Sequence, residues 1–361
     1  MNIKTPYYTT QFQCIGGACE DSCCIGWDVD IDKGTYEKYR ATQNVQLNKA
    51  FKKYVYKNPD PADVSIDYAK IELTEDKRCQ FLNSDNWCII QKHLGESYLS
   101  NVCKSFPRIY HRINGEVMMT LNTSCPEAAR LLLNLDHSMD WVNIKENDFP
   151  PIITFDVKTS DKNFKGTTVQ YLTEVQAIVY KILNGTVDEL DTKLINTGIY
   201  LNGVLKNMSP EYVHQNENHA HKKILGLEHS FFEAMRSFLT DQTIMSDLEY
   251  LKWHEKLNAK SSVLISDAHK ALLVKYYENL MVKNLFPFTE GGDIWEAYLL
   301  LLARHCVLKT EFAKVAIDDA ALYLQAFTKA FDHNRSLPEL TIQWMKKNKT
   351  YHPVHLFLTE K

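Results

Sequence analysis

The chain has 361 residues, of which 45% are hydrophobic and 24% charged, and it carries a formal net charge of -4 at pH 7. This is the composition of a globular protein long enough to build a core without staples. The charge balance, without a basic run, excludes a footprint for nucleic acid, and the longest apolar run, residues 298–303, is too short to span a membrane.

The first residues, MNIKTPYYTTQFQC, contain neither the apolar core nor the small-residue cleavage site of a secretory signal. We therefore expect a cytoplasmic protein with no membrane partner. In a reducing compartment, clustered cysteines are more often metal ligands than disulfides.

Cysteines dominate the first third of the chain. Eight of the nine lie between positions 14 and 125, and the ninth, Cys306, stands beside His305 in an apolar segment typical of core packing. Such clustering favours one shared role, which is metal or cluster ligation, a disulfide framework or redox catalysis. The eight clustered residues are Cys14, Cys19, Cys23, Cys24, Cys79, Cys88, Cys103 and Cys125.

The first four cysteines follow a C-x4-C-x3-CC pattern. Cys19 and Cys23 are four residues apart, so a single helical turn would aim both sulfurs at one point. The pair Gly16-Gly17 lets the backbone fold tightly, which would bring Cys14 to the same point.

The wider spacing of the later cysteines matches neither a zinc ribbon nor the ferredoxin patterns. Two chemical interpretations remain open, which are one 4Fe-4S cluster on four thiolates or two four-sulfur zinc sites that use all eight. Either His93 or His111 is a possible substitute for one thiolate, although a lone histidine is more often structural.

Residues 109–121 predict a β-hairpin with Asn114-Gly115 as its two-residue turn. Ser124 is then placed to cap a helix over residues 126–133. Cys125 would lie at the N-terminus of this helix, where the helix dipole favours a thiolate.

After a connector that contains Pro150-Pro151 and one short predicted strand, apolar residues recur at helical spacing. The pattern predicts helices over 169–184, 219–239, 267–287, 293–308 and 318–331, with Ser266 capping the third. The predicted fold is mainly α. It has a cysteine-rich, metal-binding N-terminal part with a small β-hairpin (1–135), a connector (136–166) and a helical C-terminal domain (167–361).

Three stretches, residues 11–39, 79–108 and 113–133, carry a longer ordered motif. It reads C-x4-C-x3-CC, then C-x3-N-x4-C-x5-LG-x4-L-x3-C-x3-PR, then SCPEAARL. On these residues the chain resembles the flagellin lysine N-methylases, which share a cysteine-rich segment with zinc- or iron-chelating proteins. The resemblance covers about the first 135 residues by motif, and the helical remainder by length and layout only.

The resemblance implies an enzyme that moves a methyl group from S-adenosylmethionine to lysine side chains of flagellin. It also implies a 4Fe-4S cluster held by some of the eight clustered cysteines, without selecting which four. Arg108 would bind the carboxylate of S-adenosylmethionine or brace a neighbouring carboxylate. The C-x3-C-x2-C pattern of radical enzymes is not met, because Gly26 stands where its third cysteine would be, and no G-x-G-x-G loop follows a strand.

A lysine amine has an ordinary pKa of about 10.4 and must lose its proton before it attacks a methyl sulfonium. Five carboxylates beside the first cysteines are candidates to assist, namely Glu20, Asp21, Asp28, Asp30 and Asp32. The alternation over residues 27–32 predicts a strand with its three aspartates on one face, which is equally typical of a solvated strand edge.

Two other classes of function stay open. The chain is alternatively a non-catalytic zinc- or iron-chelating protein that docks a partner through its helical part, or an electron-transfer module with an exposed cluster. Methyl transfer to lysines of flagellin separates the enzyme from both.

Overall fold

The computed structural model describes residues 1–135, 139–145, 151–185, 190–207, 265–334 and 336–347. The chain divides into two compact units, and each is described by itself. The first comprises Met1–Arg112, Glu116–Leu131 and Trp141–Asp156, and the second comprises Ile113–Gly115, Leu132–Asp140 and Val157–Lys361. The helix predicted over 219–239 lies outside the described residues.

Two sheets build the first unit among the described residues. The strands are β1 (Asn2–Pro6), β2 (Asp30–Ile31), β3 (Val55–Lys57), β4 (Ala69–Ile71), β5 (Arg108–Ile113), β6 (Glu116–Leu121), β7 (Trp141–Lys145) and β8 (Ile153–Val157). The larger sheet has the order β7-β1-β6-β5-β8, and the smaller has the order β2-β4-β3. In the larger sheet β1 runs parallel to β6, with Ile3 opposite Val117, and antiparallel to β7, with Ile3 opposite Ile144.

The predicted hairpin is confirmed as β5 and β6. Asn114 and Gly115 both have positive φ, 51° and 87°, as a tight two-residue hairpin turn requires. The one short strand predicted in the connector is confirmed as β8, and β7, which the sequence interpretation missed, forms just before it. The partner of β7 is β1, which lies far away in sequence, so local pattern alone did not reveal β7.

Five short helices complete the first unit: α1 (Lys33–Ala41), α2 (Val45–Tyr54), α3 (Ile89–Leu94), α4 (Asn101–Ser105) and α5 (Pro126–Leu133). Tyr39 and Phe51 stack with ring centroids 3.9 Å apart, and Phe51 lies 5.1 Å from Phe81. This aromatic core joins α1 and α2 to the segment that carries the later cysteines.

The second unit is helical in its described residues. Its helices are α6 (Leu172–Asn184), α7 (Leu190–Asn207), α8 (Asp267–Lys283), α9 (Ile294–Phe312), α10 (Ile317–His333) and α11 (Leu337–Lys347). The predicted stop at Asn184-Gly185 and the cap at Ser266, whose hydroxyl accepts from the His269 amide, are confirmed. The sequence interpretation missed α7 and α11, and α8 ends at Lys283 rather than at the predicted residue 287.

The mainly α fold is therefore confirmed for the described residues, with two small sheets added. None of the described helices is both long enough and apolar enough to cross a membrane.

Close packing of α7 against α9 gives a first prediction. A Cβ built on Gly198 would lie 2.3 Å from the Tyr298 ring, whose hydroxyl donates to the Leu194 carbonyl. We expect Gly198→Ala to lower the free energy of unfolding by about 1–3 kcal/mol, because the overpacked core must shift. Urea denaturation measures it.

The matched control is Gly34→Ala in α1, where the added Cβ meets nothing closer than 3.4 Å. There alanine is expected to be neutral or stabilising by up to about 1 kcal/mol, since glycine is the poorer helix former. Equal effects of the two substitutions would show that the contact with Tyr298 is not the cause.

Candidate functional site

All eight clustered cysteines line a single cavity of about 420 Å³ in the first unit. Four lie in the loop that precedes β2, two flank the loop between β4 and α3, and the last two lie in α4 and immediately before α5. The structure thus brings together the residues that the sequence singled out. Cys306 belongs to the second unit and is 2% exposed, which confirms its prediction as a core residue.

Backbone pairing holds the first cysteine loop against the second. The Cys79 amide donates to the Cys24 carbonyl at 2.8 Å, and the Gly26 amide donates to the Lys77 carbonyl at 3.0 Å. Residues 19–23 do not form the predicted helical turn, which was wrong. Directly after them, residues 24–26 pair with a segment more than fifty residues away.

The glycine pair of the first loop is required for a close approach. A Cβ built on Gly17 would lie 2.7 Å from the Asp85 carbonyl oxygen and 3.1 Å from the Trp87 ring, and one built on Gly16 would lie 3.2 Å from that ring. Gly16 also has a positive φ of 58°. A side chain at either position would force the two loops apart.

Two carboxylates fix the remaining cysteine segments. Glu20 accepts from the Arg130 guanidinium at 2.8 Å, which ties the first loop to α5. Asp32 accepts from the Thr35 amide at 2.8 Å and from the Asn101 amide at 3.0 Å, so it joins the start of α1 to the start of α4.

The five candidate carboxylates therefore have different positions, and the prediction that three aspartates share a strand face was wrong. Asp32 is buried as a helix cap, and the strand is only Asp30–Ile31. Asp28 and Asp30 both lie near Lys70, at 3.9 and 3.5 Å. Of the five carboxylates, only Asp21 lines the cavity.

Burial raises the pKa of five of the thiols that line this cavity, Cys19, Cys79, Cys88, Cys103 and Cys125. The pKa of Cys19 rises to about 11, and those of Cys79, Cys103 and Cys125 rise to about 12. Backbone or hydroxyl hydrogen bonds oppose the rise, and neighbouring thiolates add to it. Without a bound cation these groups stay protonated at neutral pH, so a metal would displace protons as it binds.

The predicted thiolate at Cys125 is thus corrected. The amides of Glu127 and Ala128 at the start of α5 do lower its pKa, but burial outweighs them. The helix terminus alone does not ionise this cysteine.

Cys23 has a central place among the eight. If ionised, it would raise the pKa of Cys19, Cys79, Cys88, Cys103 and Cys125 further, in addition to the effect of burial. Its carbonyl accepts from the Trp27 indole, which fixes the backbone at this point.

The donor set suits a thiophilic metal, since soft thiolates select zinc, copper(I) and iron–sulfur clusters. None of the nine cysteines forms a disulfide. Within the described residues no three His, Cys, Asp or Glu side chains form a group that could hold a metal ion. The thiols thus share a cavity without converging on one point, and the metal site itself stays a prediction.

Neither candidate histidine lines the cavity. His111 is fully buried in β5, with its ring 5.4 Å from that of Phe155, and His93 is exposed in α3. Arg108 does line it, and its guanidinium lies 5.2 Å from the centre of the Phe12 ring. The cavity therefore has a cation beside its thiols.

A separate polar cluster lies in the second unit. Nε2 of His305 lies 3.0 Å from Asp191, and its Nδ1 lies 2.7 Å from the Tyr277 hydroxyl, while Lys309 also contacts Asp191. Burial lowers the pKa of His305 below its ordinary value, despite the neighbouring Asp191. The imidazole is therefore neutral at pH 7, with Tyr277 donating to it and Asp191 accepting from it.

This burial predicts a loss of stability in mild acid. Below about pH 6.5 His305 becomes protonated in the unfolded chain but stays neutral in the folded one. The free energy of unfolding therefore falls as the pH drops. We expect a contribution of up to about 1.4 kcal/mol per pH unit. Urea denaturation between pH 7.5 and 5 should give a flatter profile for His305→Gln than for the unsubstituted chain, and equal slopes would contradict the assignment.

Comparison with known proteins adds evidence of a different kind. Residues 156–359, more than half of the chain, match the sequence profile of the family described as FliB lysine N-methylase C-terminal domain. The eight cysteines lie outside this matched range.

The chain is also 33% identical over 138 residues to lysine-N-methylases of Salmonella typhimurium and Salmonella choleraesuis. That alignment covers 37% of this chain and 33% of each relative, so the chain spans about a third of their length. At the same identity it covers 78% of the flagellar biosynthetic protein FliU of Salmonella muenchen. No solved structure matches the chain.

Proposed function

The chain belongs to the family of the FliB lysine N-methylase C-terminal domain, and on that premise we propose that it is a protein-lysine N-methyltransferase. Family membership over residues 156–359 is the observation that carries the proposal. The relatives named lysine-N-methylase support the same reaction. We propose S-adenosylmethionine as the methyl donor and lysine side chains of flagellin as the acceptors, the latter supported by the flagellar name of FliU.

We further propose that the thiol-lined cavity holds a 4Fe-4S cluster. The eight thiols around one volume of about 420 Å³ include more than the four thiolates that such a cluster takes. Four sulfurs of a structural zinc site must all lie about 2.3 Å from one ion, and a multi-iron cluster accepts ligands that are spread more widely. Zinc remains the alternative metal. When bound, the cluster would supply a compact charged centre in an otherwise apolar wall.

The residues around the cavity have separate tasks in this proposal. Arg108 binds the carboxylate of the methyl donor, because its guanidinium is the fixed cation of the wall. Asp21 is the carboxylate placed to accept the proton that the lysine amine must lose. Reduced thiols agree with a cytoplasmic reaction on flagellin before its assembly.

The test combines metal analysis with a transfer assay. The chain is purified without oxygen, its iron, sulfide and zinc are measured, and it is incubated with S-adenosylmethionine and purified flagellin. Mass spectrometry of flagellin peptides should show added methyl groups on lysines. If the iron-loaded protein transfers no methyl groups to flagellin, the proposal that it is a methyltransferase is overturned.

The second candidate function is a non-catalytic chelator that docks a partner through its helices. The shared cavity of eight thiols favours it as well, since chelation needs no further residue. The non-catalytic chelator would be supported by about two zincs per chain, no sulfide and no methyl transfer.

A further inference from the structure

Trp87 has an unusual position in the wall of the thiol cavity. The Asn83 side chain accepts from the amides of Asp85 and Trp87, at 3.0 and 2.8 Å, and so shapes the loop that presents the indole. The six-membered ring lies close to Gly16 and Gly17, where an added Cβ would come within 3.2 and 3.1 Å of it. The backbone of the first cysteine loop therefore packs against the indole on one side.

The opposite side of this ring remains accessible. Trp87 is 40% exposed, and it is the exposed tryptophan among those that the structure describes. In the described part of the chain, neither an aromatic ring nor a cation stacks on it. Because Trp87 also lines the thiol cavity, its accessible indole surface is available to a ligand that enters there.

The surroundings suit a ligand with an apolar stem and a positive end. Asp21 and Glu96 line the same cavity as Trp87 and can attract a cation to it. Of the two basic residues in the wall, Arg108 lies over Phe12, and the second is Lys104. An indole face is the aromatic surface that binds ammonium groups best.

We propose that the open face of Trp87 is the platform for the acceptor lysine of the protein substrate. The four-carbon stem of the lysine would stack along the indole while its ammonium points to the carboxylates of the wall. This inference rests on the proposed methyl transfer to protein lysine. Trp87 thereby acts as a binding residue that positions the acceptor amine, and it carries no proton.

Binding is tested without any turnover. The full chain, metal-loaded, is produced with 5-fluorotryptophan, which labels all six tryptophans, and the Trp87 signal is assigned from the Trp87→Phe variant. A flagellin peptide with one lysine is added, and then the same peptide with norleucine in its place. We expect the lysine peptide to shift the Trp87 signal, and norleucine to shift it at concentrations roughly tenfold higher.

Three results would overturn the platform. They are a lysine peptide that leaves the Trp87 signal in place, a norleucine peptide that acts equally well, and a shift caused by S-adenosylmethionine alone, which would assign the ring to the donor. Failure of methyl transfer is a different result. A shift of the Trp87 signal by the lysine peptide, without methyl transfer, would refute the methyltransferase and support the lysine site. Methyl transfer without a shift of the Trp87 signal would support the methyltransferase and refute the lysine site.

Kinetics supply a second readout. In Trp87→Ala the KM for flagellin should rise roughly threefold to tenfold with kcat nearly kept, while Trp87→Phe restores most of the loss. Tyr56→Ala is the control, since Tyr56 is 51% exposed in the same unit but does not line the cavity. Metal content is measured in each variant, and an unchanged KM in metal-replete Trp87→Ala would count against the platform.

Discussion

Cys23→Ala is expected to remove most of the bound metal from protein purified without oxygen, by about tenfold or more, because even outer-shell partners of a metal site are worth 10–100-fold. Cys23 lines the cavity and, if ionised, would raise the pKa of Cys19, Cys79, Cys88, Cys103 and Cys125. Iron, zinc and sulfide per chain are the quantities to measure.

Cys306→Ala is the matched control for this experiment. It removes a thiol that is 2% exposed, belongs to the second unit and does not line the cavity. Its metal content should equal that of the unsubstituted chain. Full metal in Cys23→Ala would show that Cys23 is not a ligand, and an equal loss in Cys306→Ala would show that the cysteines were grouped wrongly.

Arg304→Ala should have the largest effect on stability, a loss of about 3–5 kcal/mol in the free energy of unfolding. The Arg304 side chain is 1% exposed, bonds both oxygens of Glu290, with one contact at 2.9 Å, and stacks 4.1 Å from the Phe331 ring centre. Burial alone would raise the pKa of Glu290, but Arg304 outweighs burial and keeps that pKa below its ordinary value. Truncation therefore leaves an uncompensated buried carboxylate.

Two comparisons make this prediction specific. Arg112→Ala breaks an exposed pair with Asp156, whose side chains are 39% and 50% exposed, and should cost no more than about 1 kcal/mol. Replacing both partners, with Arg304→Met and Glu290→Leu, should recover much of the loss, since apolar packing removes the need for desolvated charge. Urea denaturation that gives equal losses for Arg304→Ala and Arg112→Ala would refute the role of burial.

The sequence predicted which cysteines share a site better than it predicted how their backbone is arranged. Eight thiols crowded into one third of the chain indicated a shared place, and they do line one cavity. The helical turn at Cys19 and Cys23 was wrong, and the backbone directly after Cys23 pairs with residues 77–79. Spacing rules describe isolated helices and take no account of backbone pairing with a segment from elsewhere in the chain.

Local sequence signals also predicted several helix ends. They did not predict the protonation of buried groups or the contacts between charged side chains. Gly185 and Ser266 mark the end of α6 and the start of α8, because a stop residue and a cap act through the nearest backbone. By contrast, the thiol at Cys125 is governed by burial, which depends on everything packed around it. The contacts between Arg304 and Glu290, or between His305 and Asp191, join side chains that no periodicity relates.

Strand β1 has a consequence for biosynthesis. It lies inside the larger sheet, between β6 and β7, so both of its neighbours come from residues 116–145. A ribosome makes residues 2–6 before either neighbour, so this strand has no partner in the larger sheet until the nascent chain has grown past residue 121, and its second partner follows by residue 145. Because such long-range pairing is slow, the first seven cysteines emerge as solvent-accessible thiols on an unfolded segment. Metal loading therefore follows the synthesis of this region. In air, its thiols are most exposed to oxidation before the larger sheet has formed.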